Sequence, residues 1–124
     1  MANKSKQKGN AFEYDCQASL KQIMPDIYRT SERGYQMQYD LRSEKENSVF
    51  ECKRLKAITW NSLEKFYREL ENLVGKPKAY LLFQSNFQPC LVFYRDFDDH
   101  HLHIKRFEDV FNVPFIKHES SRRK

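Results

Sequence analysis

Two stretches late in the chain, Ala79-Tyr80-Leu81-Leu82-Phe83 and Cys90-Leu91-Val92-Phe93-Tyr94, carry no charged or strongly polar side chain at any position. A strand with one face in water alternates, so an unbroken apolar run of strand length predicts strands covered on both faces. Strands of that kind need a layer above and a layer below, which points to an α/β architecture. The layers can be read off the rest of the chain. From Asn61 to Val74, the residues Leu63, Phe66, Tyr67, Leu70, Leu73 and Val74 form one apolar helical face, with Glu64, Lys65, Arg68, Glu69 and Glu71 on the wet side. Asn61 and Glu64 offer a capping box, and Gly75 with Pro77 supplies a stop. An earlier helix is expected from Asn10, with Glu13 completing a box and Pro25 ending it. Its residues Phe12, Cys16, Leu20, Ile23 and Met24 fall in a stripe of about 120°.

Between these helices, Tyr35 to Leu41 alternates, with Tyr35, Met37 and Tyr39 opposite Gln36, Gln38 and Asp40. A polar loop from Arg42 to Ser48 leads to a second strand, Val49 to Lys53, and a hairpin is the simplest pairing. Late in the chain, a turn at Asp98-Asp99-His100 precedes Leu102-His103-Ile104 and a short helix near Phe107 to Phe111. The predicted order is α-β-β-α-β-β, a mixed sheet with a helix on each face. A chain of 124 residues suits one domain, 1–124, because a second core would have too little to bury. The segment 1–9, with Lys4, Lys6 and Lys8, reads as a basic N-terminal arm, and 119–124 as a flexible basic tail.

Charge and cysteine content narrow the function classes. No stretch of about 18 apolar residues spans a bilayer, and no signal-peptide core follows Met1, so the expectation is a soluble intracellular protein without a membrane partner. Cys16, Cys52 and Cys90 are odd in number and form no C-x-x-C pair, which reads as reduced, buried thiols. A net charge of +5 favours an anionic partner, nucleic acid being the commonest. Gly-rich phosphate loops, nucleophile triads and dinucleotide fingerprints are lacking. His100, His101 and His103 lack further ligands in sequence and read as a surface turn rather than a second metal site. Trp60, just ahead of the second helix, reads as a hydrophobic staple in preference to a base-stacking residue.

The first hairpin carries the chemistry. Residues two apart on a strand point the same way, so Glu51 and Lys53 share a face. Asp40 closes the neighbouring strand, where pairing can bring its carboxylate to Glu51. Two carboxylates and the backbone carbonyl of Cys52 make an oxygen-only site suited to Mg²⁺ or Mn²⁺. Lys53 beside such a site would either orient an attacking water or neutralise charge on a phosphodiester. An acid-x-Lys triplet is common, and a solvated strand face with a cross-strand ion pair is the plain alternative. Lys8, Lys53, Arg54 and Lys56 are candidates for contacts to DNA phosphates.

These residues carry a resemblance. Lys8-Gly9-Asn10-Ala11-Phe12-Glu13 sets a basic residue and a glycine ahead of a glutamate on the first helix. Asp40 closes one strand, and Glu51-Cys52-Lys53 lies on the next, followed by a helix and two apolar strands. In this pattern, from Lys8 to Tyr94, the chain resembles the PD-(D/E)XK nuclease superfamily, most of all the archaeal-type Holliday junction resolvases. The resemblance implies a restriction-endonuclease-like mixed central β-sheet flanked by helices. It also implies a Mg²⁺-dependent endonuclease for branched DNA, a homodimer, and a metal-assisting role for Glu13, for which capping of the first helix is the alternative. Tyr39 stands where that family usually carries proline, Tyr14 where it carries arginine, and its second-helix glutamine has no counterpart. The alternatives are another nuclease of the superfamily, of restriction or phage-recombination type, and a non-catalytic basic DNA-binding module.

Overall fold

A computed structural model describes residues 4–34, 39–74, 78–85 and 88–117, with the backbone alone for 4–10 and 73–74. The elements follow as α1 (Lys4–Leu20), β1 (Tyr28–Arg29), a 3-10 turn (Thr30–Arg33), β2 (Leu41–Ser43), β3 (Ser48–Arg54), α2 (Trp60–Val74), β4 (Lys78–Gln84), β5 (Leu91–Arg95), β6 (Leu102–Arg106) and α3 (Phe107–Phe111). The strands form one open six-stranded sheet in sequence order, β1-β2-β3-β4-β5-β6. Every neighbouring pair is antiparallel except β3 and β4. That one parallel pair needs a long crossover, and α2 provides it.

The alternation of β3 decides what each face meets. Cys52 lies against Cys16 of α1, and Phe50 stacks on Tyr80 and meets Phe111 of α3. On the opposite face, the Lys53 ammonium sits 4.6 Å from the ring centre of Phe66 in α2. Phe93 on β5 packs against Tyr67 of the same helix. Helices therefore cover both faces, and the apolar runs lie at the centre, with Leu81, Leu82, Phe83, Val92 and Phe93 fully buried. At about 1.5–3 kcal/mol per buried large side chain, this layered core dominates the folding energy.

Several boundaries differ from the sequence expectation. The first helix begins at Lys4, so the basic segment expected as an arm is helical in its backbone from that residue on. It ends at Leu20, before Pro25, and hydrogen-bonded turns carry the chain to Ile27. Glu13 forms no capping box; its carboxylate is committed to Arg29. The strand expected over Tyr35–Leu41 falls partly on 35–38, outside the described residues, and the strand that forms is Leu41–Ser43. The polar loop shrinks to a turn at 44–47. Asp26 braces it, accepting from Ser43 Oγ at 2.8 Å and from the Lys45 amide at 2.9 Å. The second helix is capped by Thr59 rather than Asn61: Thr59 Oγ1 accepts from the Ser62 amide at 3.2 Å. The stop expected at Gly75 and Pro77, and the tail at 119–124, lie outside the described residues. Among the described residues no helix is long and apolar enough to cross a membrane.

Candidate functional site

β2 and β3 run side by side only as far as the Leu41–Phe50 pair. Asp40 extends the ladder by one bond, its amide donating to the Phe50 carbonyl at 2.9 Å. Beyond Phe50 that edge of β3 has no strand partner among the described residues. Asp40 fills the first vacant position with its side chain, Oδ2 accepting from the Cys52 amide at 2.8 Å. In an extended strand the N–H and C=O of one residue leave on the same side, so the Cys52 carbonyl also faces this freed edge. A carboxylate lying in the plane of the sheet can reach side chains from both faces. Asp40 does so: it interacts with Glu51 from the α2 face and with Glu13 from the α1 face.

Glu51 follows the last paired residue of β3, Phe50, and its side chain is mostly buried. Burial, then the charge and hydrogen bond of Asp40, push its carboxyl up to about 8, against an opposing pull from Lys53. The Lys53 Nζ stands 3.6 Å from Glu51 Oε2. One ammonium does not offset two crowded carboxylates, so the site carries a deficit of positive charge.

The residue that sequence reasoning missed is Arg29. It lies on the two-residue strand β1, buried, and its Nε donates to Glu13 Oε2. Burial pushes the Glu13 carboxyl up, and the Arg29 bond pulls the other way. For Arg29, desolvation works against the charge, yet the bond and charge of Glu13 hold the guanidinium pKa above its ordinary value. Its guanidinium also lies 4.0 Å from the Tyr14 ring centre. A two-residue strand has no periodicity to read, so no pattern announced it.

Asp40, Glu51 and Lys53 thus come together as the alternation predicted. Glu13 joins them electrostatically but is held by Arg29, and the three carboxylates do not all close within 4.8 Å of one another. Of the residues expected to touch DNA, Arg54 donates from Nη1 to Gln84 Oε1 at 2.9 Å and Lys56 is exposed in the loop after β3. Lys8 lies on α1, with its side chain outside the described set.

Cys16, Cys52 and Cys90, far apart in sequence, meet behind this edge, Cys16 contacting both others. Burial pushes the Cys52 thiol up to about 12 and raises Cys16 well above its ordinary value, so these are packing groups rather than nucleophiles. The histidine turn is partly reorganised. His103 Nε2 sits 2.9 Å from Asp99 Oδ2, and with Asp96 these are the only three metal-capable side chains among the described residues that lie within 4.8 Å of one another. Both aspartates already accept turn amides, Asp96 from residues 98 and 99 and Asp99 from His101. Searches of protein-family models, of curated proteins and of solved structures found no match to the chain.

Proposed function

We propose that the chain is a metal-dependent endonuclease of restriction-endonuclease-like fold that hydrolyses phosphodiester bonds in DNA. The observation that carries the reading is the freed edge of β3, where Asp40 and Glu51 touch beside the Lys53 amine and the Cys52 carbonyl. The donor set fits a hard cation: oxygen only, two carboxylates, and a charge deficit that a divalent ion would relieve. Asp40, Glu51 and the Cys52 carbonyl would hold such an ion, while Glu13 is committed to Arg29. Such an ion lowers the pKa of a bound water and stabilises charge on the phosphate.

The chain's own groups do the rest. The Cys52 amide orients Asp40, holding its carboxylate beside Glu51. Lys53, with its stem against Phe66, keeps its ammonium beside Glu51, in reach of a water or a phosphate oxygen. Lys56 and the net charge of +5 favour a polyanionic substrate. Branched DNA, including the four-way junction, is the substrate class we assign, cut by a homodimer because symmetric resolution needs two matched sites.

The test is cleavage of labelled junction, duplex and single-stranded DNA in Mg²⁺, Mn²⁺ or EDTA. Asp40→Asn and Glu51→Gln are each expected to reduce cleavage at least 100-fold, in line with loss of a metal-ligand contact of ~3 kcal/mol. DNA binding should stay within a few-fold. Paired nicks confined to the junction support resolution, and cutting of every substrate supports a general nuclease. Binding without cleavage under any divalent ion would leave a non-catalytic DNA-binding module.

A further inference from the structure

Trp60 has a place in this molecule that a helix-start staple does not explain. Its ring packs at a tilt against Phe93, with centroids 5.1 Å apart and planes at 54°, yet 46% of the residue is exposed. Phe93 pairs in register with Leu81, and Leu81 with Glu51, so all three lie in one row across the sheet, on the α2 face. Two strand spacings, about 10 Å, separate Phe93 from Glu51 along that row. The indole is therefore an open aromatic surface on the same face as the acidic site and a short distance from it. Ile58, two residues earlier, is also partly exposed.

The other exposed aromatics differ. Tyr14 is covered by the Arg29 guanidinium. Phe97 lies by Lys78 at the opposite end of the sheet from Lys53. Around Trp60 the charge suits a nucleic-acid strand: Lys53 and Lys56 lie between it and the carboxylates in sequence, and Lys53 shares its face. Glu64 accepts from Trp60 Nε1 at 3.1 Å and is neutralised by Arg68 at 2.7 Å and 3.0 Å.

We infer that Trp60 is a stacking platform for an unpaired base of the DNA strand whose phosphate lies at Asp40 and Glu51. Aromatic–base stacking is indifferent to sequence and demands a base free of its duplex partner. It thus deepens the nuclease reading, on which it rests, by giving the site a preference for junctions, forks or flaps over continuous duplex.

Trp60 is the only tryptophan of the chain, so its fluorescence reports the contact directly. In EDTA, where no cleavage occurs, an oligothymidylate and a forked duplex are expected to quench the indole saturably, whereas a blunt duplex of equal length leaves it unquenched at the same occupancy. Occupancy is set independently by the anisotropy of end-labelled DNA. Trp60→Ala should weaken binding of the fork about tenfold. Trp60→Phe, which keeps the packing on Phe93, should recover most of the loss, and blunt-duplex binding should stay unchanged in both. Absence of quenching at saturating oligothymidylate, equal quenching by blunt duplex, or wild-type fork affinity in Trp60→Ala would overturn the inference. So would conversion of a dimer to a monomer by Trp60→Ala, because the indole would then be covering a second copy. The nuclease reading is read separately in Mg²⁺: cleavage without quenching sinks the platform alone, and quenching without cleavage under any divalent ion sinks the nuclease alone.

Discussion

Glu51 pays for its position in the folded chain, and the cost has a sign that pH reveals. Its carboxyl, ordinarily near 4.5, is pushed up to about 8 in the metal-free protein by burial and by Asp40. Below pH 4.5 both folded and unfolded states hold the proton, and no penalty exists. Between the two values the unfolded chain has released a proton that the folded chain keeps, so stability falls as pH rises and levels off above about 8. Glu51→Gln removes that titration. In EDTA at pH 9 the variant is expected to be more stable than the parent by roughly 3 kcal/mol in urea unfolding, with the gap shrinking as the pH approaches 4.5. Parallel stability curves for the two proteins would show that Glu51 is not crowded. Arg29 poses the converse case. Removing one partner of a buried ion pair strands the other, so Arg29→Met should cost about 3–5 kcal/mol, and Glu13→Gln in the same chain should restore part of it. Glu51 and Lys53 were legible in the sequence because period-two alternation puts residues two apart on one face, and Asp40 because it closes the neighbouring segment, although it reaches them from beyond the last paired residues. Arg29 was not, because what makes it important is a contact with Glu13, 16 positions away in sequence, that no local pattern encodes.

Elements were legible in proportion to how much apolar surface they bury. The runs at 79–83 and 90–94 had nowhere to go but the interior, and they are β4 and β5 within one residue at each end. α2 was equally plain from its stripe, though its cap was misplaced by two residues. Asn61 and Glu64 have the spacing of a capping box, but Glu64 is taken by Trp60 and Arg68, leaving Thr59 to accept from the Ser62 amide. A capping hydroxyl is worth about 1 kcal/mol, so Thr59→Ala should lower stability by that amount and Asn61→Ala by much less. Equal effects in thermal unfolding would return the cap to Asn61. The start of α1 was misread for a different reason. Lysines at 4, 6 and 8 suggest a solvated arm, yet lysine is a good helix former and charge alone does not stop a helix. Ahead of β2, Asp40 closes the ladder through its amide while its side chain accepts from the Cys52 amide, as a further strand residue would.

At the scale of the whole molecule, the candidate site ties together segments far apart in sequence: α1 through Glu13, the approach to β2 through Asp40, and β3 through Glu51 to Lys53. An ion held there would bind the folded chain and not the unfolded one, because the unfolded chain does not hold the two carboxylates together. Metal binding is then folding energy, about 2.7 kcal/mol at a concentration 100 times the dissociation constant. For a domain of this size that corresponds to a rise in Tm of roughly 10 °C. Unfolding followed by circular dichroism in EDTA, then with increasing Mn²⁺ or Mg²⁺, should show this rise in the parent and none in Asp40→Asn, whose neutral amide binds a hard cation poorly. The shift should also be larger at pH 8 than at pH 6, because at the lower pH the ion must displace the proton that the apo site keeps on Glu51. A rise that persists in Asp40→Asn would place the cation elsewhere, with the Asp96, Asp99 and His103 turn as the first alternative to check by Asp99→Asn. A rise in neither protein would mean that the two carboxylates meet for structural reasons alone, and the chemistry assigned to the freed edge of β3 would have to be withdrawn.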